Sequence, residues 1–217
     1  MRVAVFGLGK FGRFVATELG RAGWDVLAMD QSQNRAQAVK DVVSEAVVGN
    51  AVDRETLAGL GLEGTEVAIV SLGQNMAGSI LLTLYLKELS VERILVKALN
   101  DDHALVLSRV GATRTIIPER EMAQRLAYSL HRPDVMEFIP LGPDQAIVEL
   151  EVPPDFVGRS LSELDLRRTR GLQVLAVKEP GAGQVQPVID PDMVFSPGAV
   201  VIILGRSQDL ARLRQKS

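Results

Sequence analysis

With 217 residues, 47% of them hydrophobic and 24% charged, the chain has room for one large domain or two small ones with a true core, and its composition excludes disorder. A net charge of −3, with no basic stretch interleaved with aromatics, argues against nucleic-acid binding. Cysteine is absent, which excludes disulfides, thiolate metal sites and a cysteine nucleophile and fits a reducing cytoplasm. The longest apolar run, Ala199 to Leu204, falls far short of the roughly 20 residues that span a bilayer, and the first residues lead straight into a strand rather than a cleavable leader. Any membrane role is expected to pass through a partner.

Val3 to Phe6 form an apolar strand that runs into Gly7-Leu8-Gly9-Lys10-Phe11-Gly12, and Asp30 closes the next apolar run. This spacing predicts a bound adenine nucleotide. Gly7 allows the tight turn, Gly9 lets the main chain approach the phosphates, and Gly12 lets the following helix pack on the sheet. The N–H groups and positive dipole end of a helix starting near Lys10 face the anion, while Asp30 accepts from the ribose hydroxyls. An acid there disfavours a ribose 2′-phosphate, so NAD(H), ATP or ADP is expected over NADP, with nearby Arg35 leaving that preference open. The alternative is a tight strand-to-helix turn with no ligand.

Phe14, Val15, Leu19 and Ala22 recur at helical spacing, and Gly23 ends that helix. Val26 to Met29 read as strand two, Gln33 to Val39 as a short helix and Ala46 to Val48 as strand three, after which Asp53 to Glu55 can cap a helix. A second half follows: strand four at Val67 to Ser71, a helix at Met76 to Leu89, strand five at Ile94 to Ala98, a helix at Asp102 to Arg109 and strand six at Thr115 to Ile117. Alternating strands and helices predict an α/β fold, a Rossmann-like doubly wound parallel sheet of order 3-2-1-4-5-6 with its ligand between strands one and four.

Pro118 opens a helix from Glu119 to about Arg132, stopped by Pro133. Its stripe of Met122, Leu126 and Leu130 reads as core, or as a face that crosses to a second subunit. Beyond it the period becomes two, with Val148, Leu150 and Val152 alternating with Glu149 and Glu151 before Pro153-Pro154. Strands at Gln173 to Val177 and Ala199 to Leu204 follow, and the loops at Glu179 to Gly183 and Asp190 to Gly198 carry Pro and Gly. This predicts a small α+β domain, and the expected division is 1–118, a linker helix over 119–136 and a second domain over 137–217. Such a small domain would gain from dimerisation.

The combination of GLGKFG, Asp30, Gly49-Asn50-Ala51-Val52-Asp53, Val96-Lys97-Ala98 and Ile116-Ile117-Pro118-Glu119 resembles the cytoplasmic RCK (TrkA-N) domains that regulate potassium channels and transporters. The later Gly158-Arg159-Ser160-Leu161 and Leu164-Asp165-Leu166 are similar to the companion TrkA-C domain, and one such pair per chain resembles KtrA-type subunits. The resemblance implies a regulatory subunit, peripheral on the inner face of the cell membrane, whose homodimers assemble into an octameric ring under a membrane-embedded potassium-translocating partner. ATP or ADP would then be a signal rather than a substrate, with NAD(H) as another ligand.

Carried onto this chain, the resemblance assigns the phosphates to Gly7, Gly9 and Gly12 and the ribose to Asp30. Lys10 replaces a family arginine that reaches a terminal phosphate, keeping the charge without the fork. Glu119 matches an acid that helps bind a divalent cation, Mg or Ca, near the γ-phosphate, although an acid on a first helical turn also satisfies the dipole alone. Asn50 stands where many relatives have Asp. The remaining candidates adjoin these: Leu8 and Phe11 in the motif, Gln31 after the acid, Ala51 beside Asn50, Ser71, Leu72 and Gly73 after strand four, and Lys97 on strand five. Leu164, Arg167, Arg168 and Leu175 lie where wider relatives bind cyclic di-AMP, or form a solvated basic turn.

Two other function classes stay open. An NAD-dependent oxidoreductase would need a catalytic group, and neither histidine, His103 nor His131, falls in a spacing that suggests one. A nucleotide-stabilised interaction protein without switching would need none. No catalytic residue is assigned.

Overall fold

The computed structural model describes residues 1–132, 135–142, 144–182, 185–187 and 190–213. Pro133 and Gly183, expected to stop the linker helix and close a loop, lie outside the described residues. The chain divides into two compact units, Met1–Pro118 and Glu119–Ser217.

The first unit alternates strand and helix: β1 (Arg2–Phe6), α1 (Lys10–Arg21), β2 (Asp25–Asp30), α2 (Gln33–Gln37), β3 (Glu45–Val48), α3 (Arg54–Ala58), β4 (Val67–Val70), α4 (Met76–Glu88), β5 (Arg93–Lys97), α5 (Asp101–Val110) and β6 (Arg114–Ile116). All pairings are parallel and the strand order is β3-β2-β1-β4-β5-β6. β1 and β4 are near-continuous apolar runs because both faces of the sheet are covered. Ala4, Phe6, Ala68 and Val70 enter one core and Val3, Val5, Val67 and Ile69 the other.

Local chemistry sets the helix ends. Gly23, at φ +80°, takes the left-handed position past α1, where the Gly23 and Trp24 N–H groups donate to the Gly20 and Leu19 carbonyls. Asn75 and Asn100 cap α4 and α5 by accepting from the Gly78 and His103 N–H groups at 2.9 and 2.8 Å. The short helix over Gln33 ends at Gln37, two residues before the expected Val39. Phe14, expected on the apolar face of α1, is exposed beside Arg13, whose guanidinium lies 5.4 Å from its ring centroid.

The second unit contains α6 (Pro118–His131, which begins on the last residue of the first unit), β7 (Val135–Pro140), β8 (Gln145–Glu151), α7 (Leu161–Leu164), α8 (Leu166–Arg170), β9 (Gln173–Lys178), β10 (Gln186–Pro187), β11 (Val200–Arg206) and α9 (Ser207–Ala211). Its sheet is antiparallel, in the order β10-β9-β11-β8-β7. The period-two pattern places Ala146, Val148, Leu150, Val201 and Ile203 in a core with Phe156 and Phe195, while Ile147, Ile202 and Leu204 are half-buried. β7 is a strand that the sequence reading left unassigned. Ser160 and Glu163 form a capping box at α7, and Asp165, at φ +41°, joins α7 to α8.

The stripe on α6 is not core. Met122, Leu126 and Leu130 are 63%, 58% and 73% exposed, and no described residue of α6 is buried. The helix holds to its own unit through Tyr128, stacked on Phe138 with ring centroids 3.8 Å apart, and through Arg125, 3.8 Å from Glu137. The reading as core fails because periodicity reports that a face is apolar, not what covers it.

Candidate functional site

The loops after β1 and β4 meet where the strand order reverses, and the glycines divide by what each one meets. Gly7 sits at φ +89°, and a Cβ there would strike the Ser71 carbonyl; a Cβ on Gly12 would strike the Gly7 carbonyl. Folding alone requires both. Gly9 is different: its φ of −62° suits any residue, and nothing lies within 4 Å of where its Cβ would be. No steric contact requires glycine at this position, and a bare main chain here leaves room for a group approaching from outside.

Gly9 is also the N-cap of α1 and offers no side-chain cap. The first intrahelical bond from this end runs from the Arg13 N–H to the Gly9 carbonyl at 2.9 Å. The Lys10, Phe11 and Gly12 N–H groups precede it, and no acidic residue occupies the first turn. Leu8, Gly9, Lys10, Arg13, Asn34 and Arg35 line an open cleft of about 300 Å³ over this end. Lys10 and Arg13, with Arg35 beside Asp30, give this end of α1 a positive field of the kind that favours an anion.

Asp30 braces the loop. It is 8% exposed, its Oδ2 accepts from the Leu8 N–H at 2.7 Å, and its Oδ1 accepts from the Ser32 N–H at 2.8 Å. Arg35 Nη1 lies 3.6 Å from Oδ2. An ionised carboxylate has about four acceptor sites, so positions for a ribose hydroxyl remain.

The other expected residues fall into three groups. Gln31 donates its amide to Asn50 Oδ1 at 2.7 Å, which joins the ends of β2 and β3, and Ala51 is buried behind them. Ser71 is buried and its N–H donates to the Phe6 carbonyl at 2.7 Å; Leu72 is half-buried and Gly73 takes φ +62°. Lys97, half-buried on β5, places its Nζ 6.0 Å from the ring centroid of Phe11, on the first turn of α1. Glu119 belongs to the second unit, on the exposed first turn of α6 with Glu121 nearby. Among the described residues no three His, Cys, Asp or Glu gather as a metal site.

Neither the burial of His103 nor its Ser79 partner was foreseen from the sequence. His103 is 2% exposed; its Nδ1 accepts from the Leu99 N–H at 3.2 Å, which leaves Nε2–H to donate to Ser79 Oγ at 2.9 Å. Ser79 Oγ donates onward to the Met76 carbonyl at 2.8 Å. Burial pushes the His103 pKa below its ordinary value and holds the ring neutral. Both ring nitrogens are occupied by hydrogen bonds within the protein. Ser79 and His103 stand 24 residues apart, and no short-range spacing signals such a pair.

In the second unit, Leu164 is buried, Leu175 is half-buried, and Arg168 is paired with Asp165. Arg167 instead lines a cleft of about 250 Å³ with Arg206, Gln145 and Gln173. A cavity of about 560 Å³ also lies in this unit, larger than the cleft over Gly9, but its arginines are already paired: Arg170 with Asp155 at 2.8 Å and Arg212 with Asp209 at 3.3 Å. Lys10 and Arg13, which form no ion pair among the described residues, distinguish the cleft over Gly9 more than its volume does.

Comparison with known proteins agrees with this organisation. The TrkA-N domain family matches residues 3–118 and the TrkA-C domain family residues 147–217. The chain is 35% identical over 213 residues to the Ktr system potassium uptake protein C of Bacillus subtilis, covering 98% of this chain and 96% of that protein. Among solved structures, the GsuK channel bound to NAD aligns at a TM-score of 0.53 and 20% identity, over 98% of this chain and 37% of that one. GsuK bound to ADP aligns at 0.53 and 24%, over 61% of this chain and 34% of that one. These two likenesses show the shared fold.

Proposed function

The chain belongs to the family of Ktr potassium uptake proteins built from one TrkA-N and one TrkA-C domain, and from that premise we propose that it is a nucleotide-sensing regulatory subunit of a Ktr-type potassium uptake system. It binds ATP, ADP or NAD(H) between β1 and β4 and controls potassium flux through a membrane-embedded translocating partner. The observation that carries this reading is Gly9: a glycine the fold does not need, set over the bare start of α1 and flanked by Lys10, Arg13 and Arg35. Asp30 and Gln31 face the ribose in this reading, and Lys10 reaches a terminal phosphate. Glu119, in the second unit, is proposed as one carboxylate ligand of a divalent cation.

The same reading gives the partners. Among the described residues no helix is long and apolar enough to cross a membrane. A peripheral place on the inner face of the membrane, held by the translocating partner, is part of the proposal. The exposed face of α6, with Met136 of β7, joins two copies into a homodimer, and exposed Leu81, Leu84, Leu105 and Val106 on α4 and α5 supply apolar surface for further assembly into an octameric ring. Cyclic di-AMP is proposed as a second effector in the second unit, near the arginines of α8. Calorimetric titration checks it, and the absence of heat removes it.

A nucleotide regulates only through unequal affinity for two shapes of the assembly. The test combines mass spectrometry of the ligand retained through purification with small-angle scattering of the full chain in ATP and in ADP. Different scattering curves and nucleotide-dependent flux with the partner are expected. Identical curves and identical flux overturn the proposal.

A further inference from the structure

We propose that the ribose end of this cleft accepts adenosine phosphorylated at the 2′ position, so that NADP(H) joins the ligands of the chain. The inference rests on the nucleotide reading of the same site and concerns the chemistry next to Asp30. In dinucleotide sites an acid after the second strand takes the ribose 2′-hydroxyl, whereas a nearby arginine accommodates a 2′-phosphate. This chain has both groups in contact, with Arg35 Nη1 3.6 Å from Asp30 Oδ2.

The usual objection is that the acid repels the phosphate, and here it loses its force. Asp30 is nearly buried, and its oxygens face the Leu8 N–H, the Ser32 N–H and the Arg35 guanidinium. Its charge is compensated from within the protein. If Arg35 turns towards a phosphate, the two backbone bonds still hold the carboxylate in place.

The cations supply the second argument. Lys10, Arg13 and Arg35 line one cleft in which no carboxylate is a lining residue. Among the described residues Lys10 and Arg13 form no ion pair, and the Asn34 side chain makes no hydrogen bond. The start of α1 already meets a pyrophosphate with its own N–H groups. Arg35 and the idle Asn34 amide, both on α2 after β2, are more than a pyrophosphate at the start of α1 calls for, and they suit a further dianion. A guanidinium presents two parallel donors to phosphate oxygens, which makes Arg35 the principal contact.

The discriminating probes are 5′-AMP and 2′,5′-ADP, which differ only in the 2′-phosphate, titrated into the full chain beside ATP and NADH. Wild type is expected to bind 2′,5′-ADP about tenfold more tightly than 5′-AMP, the size of one good charge-assisted contact. Arg35→Ala should bring that ratio close to one while changing 5′-AMP affinity less than about threefold, and Arg35→Lys should fall between. Unchanged melting temperatures confirm that the variants fold. Equal or weaker binding of 2′,5′-ADP by wild type overturns the 2′-phosphate proposal and leaves the nucleotide reading intact. If ATP, NADH and both probes all fail to bind, both readings fall together.

Discussion

The two units bury their sheets in different ways. In the first, β1 and β4 send alternate residues into two separate cores, so both faces of the sheet are closed and specific chemistry is left to the loops at its edge. In the second, one core collects the inner residues of β8, β9 and β11, while α6 and β7 leave Met122, Leu126, Leu130 and Met136 in solvent. A sheet covered on both faces leaves only its loops open to solvent chemistry. A sheet finished on one side leaves apolar surface exposed.

The comparison is sharpest inside the glycine loop, where two glycines that folding requires stand beside one that no steric contact requires. Gly12→Ala places a methyl group against the Gly7 carbonyl and should destabilise the first unit by about 3 kcal/mol or more, seen as the loss of one melting transition while the second unit still melts. Gly9→Ala should do the reverse. Its backbone suits alanine, so stability holds or rises by about 0.4–1 kcal/mol, while affinity for ATP measured by calorimetry falls at least about tenfold. If Gly9→Ala binds normally, the glycine is not a ligand contact and the division between the two kinds breaks down.

On the other side of the comparison, Leu126→Glu removes apolar surface that folding does not bury. Sedimentation should show a smaller assembly, with the melting temperature at high dilution shifted by less than about 2 °C. A substantial loss of monomer stability would mean that α6 belongs to the core after all. Lys10→Ala should weaken ATP more than NADH if Lys10 reaches a terminal phosphate, and equal losses would make the loop a plain dinucleotide cradle.

The smallest effect concerns His103. Its folded pKa is lowered, so the unfolded chain takes up the proton first, and stability is present above the ordinary histidine value near 6.5 and declines as pH falls through it. Urea melts at pH 7.5 and 5.5 should show a weaker decline in His103→Gln than in wild type.

The first unit was readable from the sequence because each strand is an unbroken apolar run followed by a turn and a helical period, and that alternation permits one handedness of connection. The glycine loop was readable for the same reason, since spacing along one chain sets the turn. What spacing does not carry is the partner. Whether Met122, Leu126 and Leu130 face a core or another chain, whether Phe14 points inward, and that His103 finds Ser79 all depend on long-range packing that leaves no periodic trace. β7 went unassigned because its exposed residues, Met136, Glu137, Ile139 and Pro140, interrupt the alternation that marks β8.

The hydrogen bond from Leu8 to Asp30 bears on time as well as affinity. A loop already held by a buried carboxylate does not have to order itself when a ligand arrives, so encounter is governed by diffusion and by the pull of the surrounding cations. In the proposed reading, competing nucleotides then differ mainly in how slowly they leave. A site saturated by two such ligands follows their ratio more closely than the amount of either, and it settles at the pace of the slower departure.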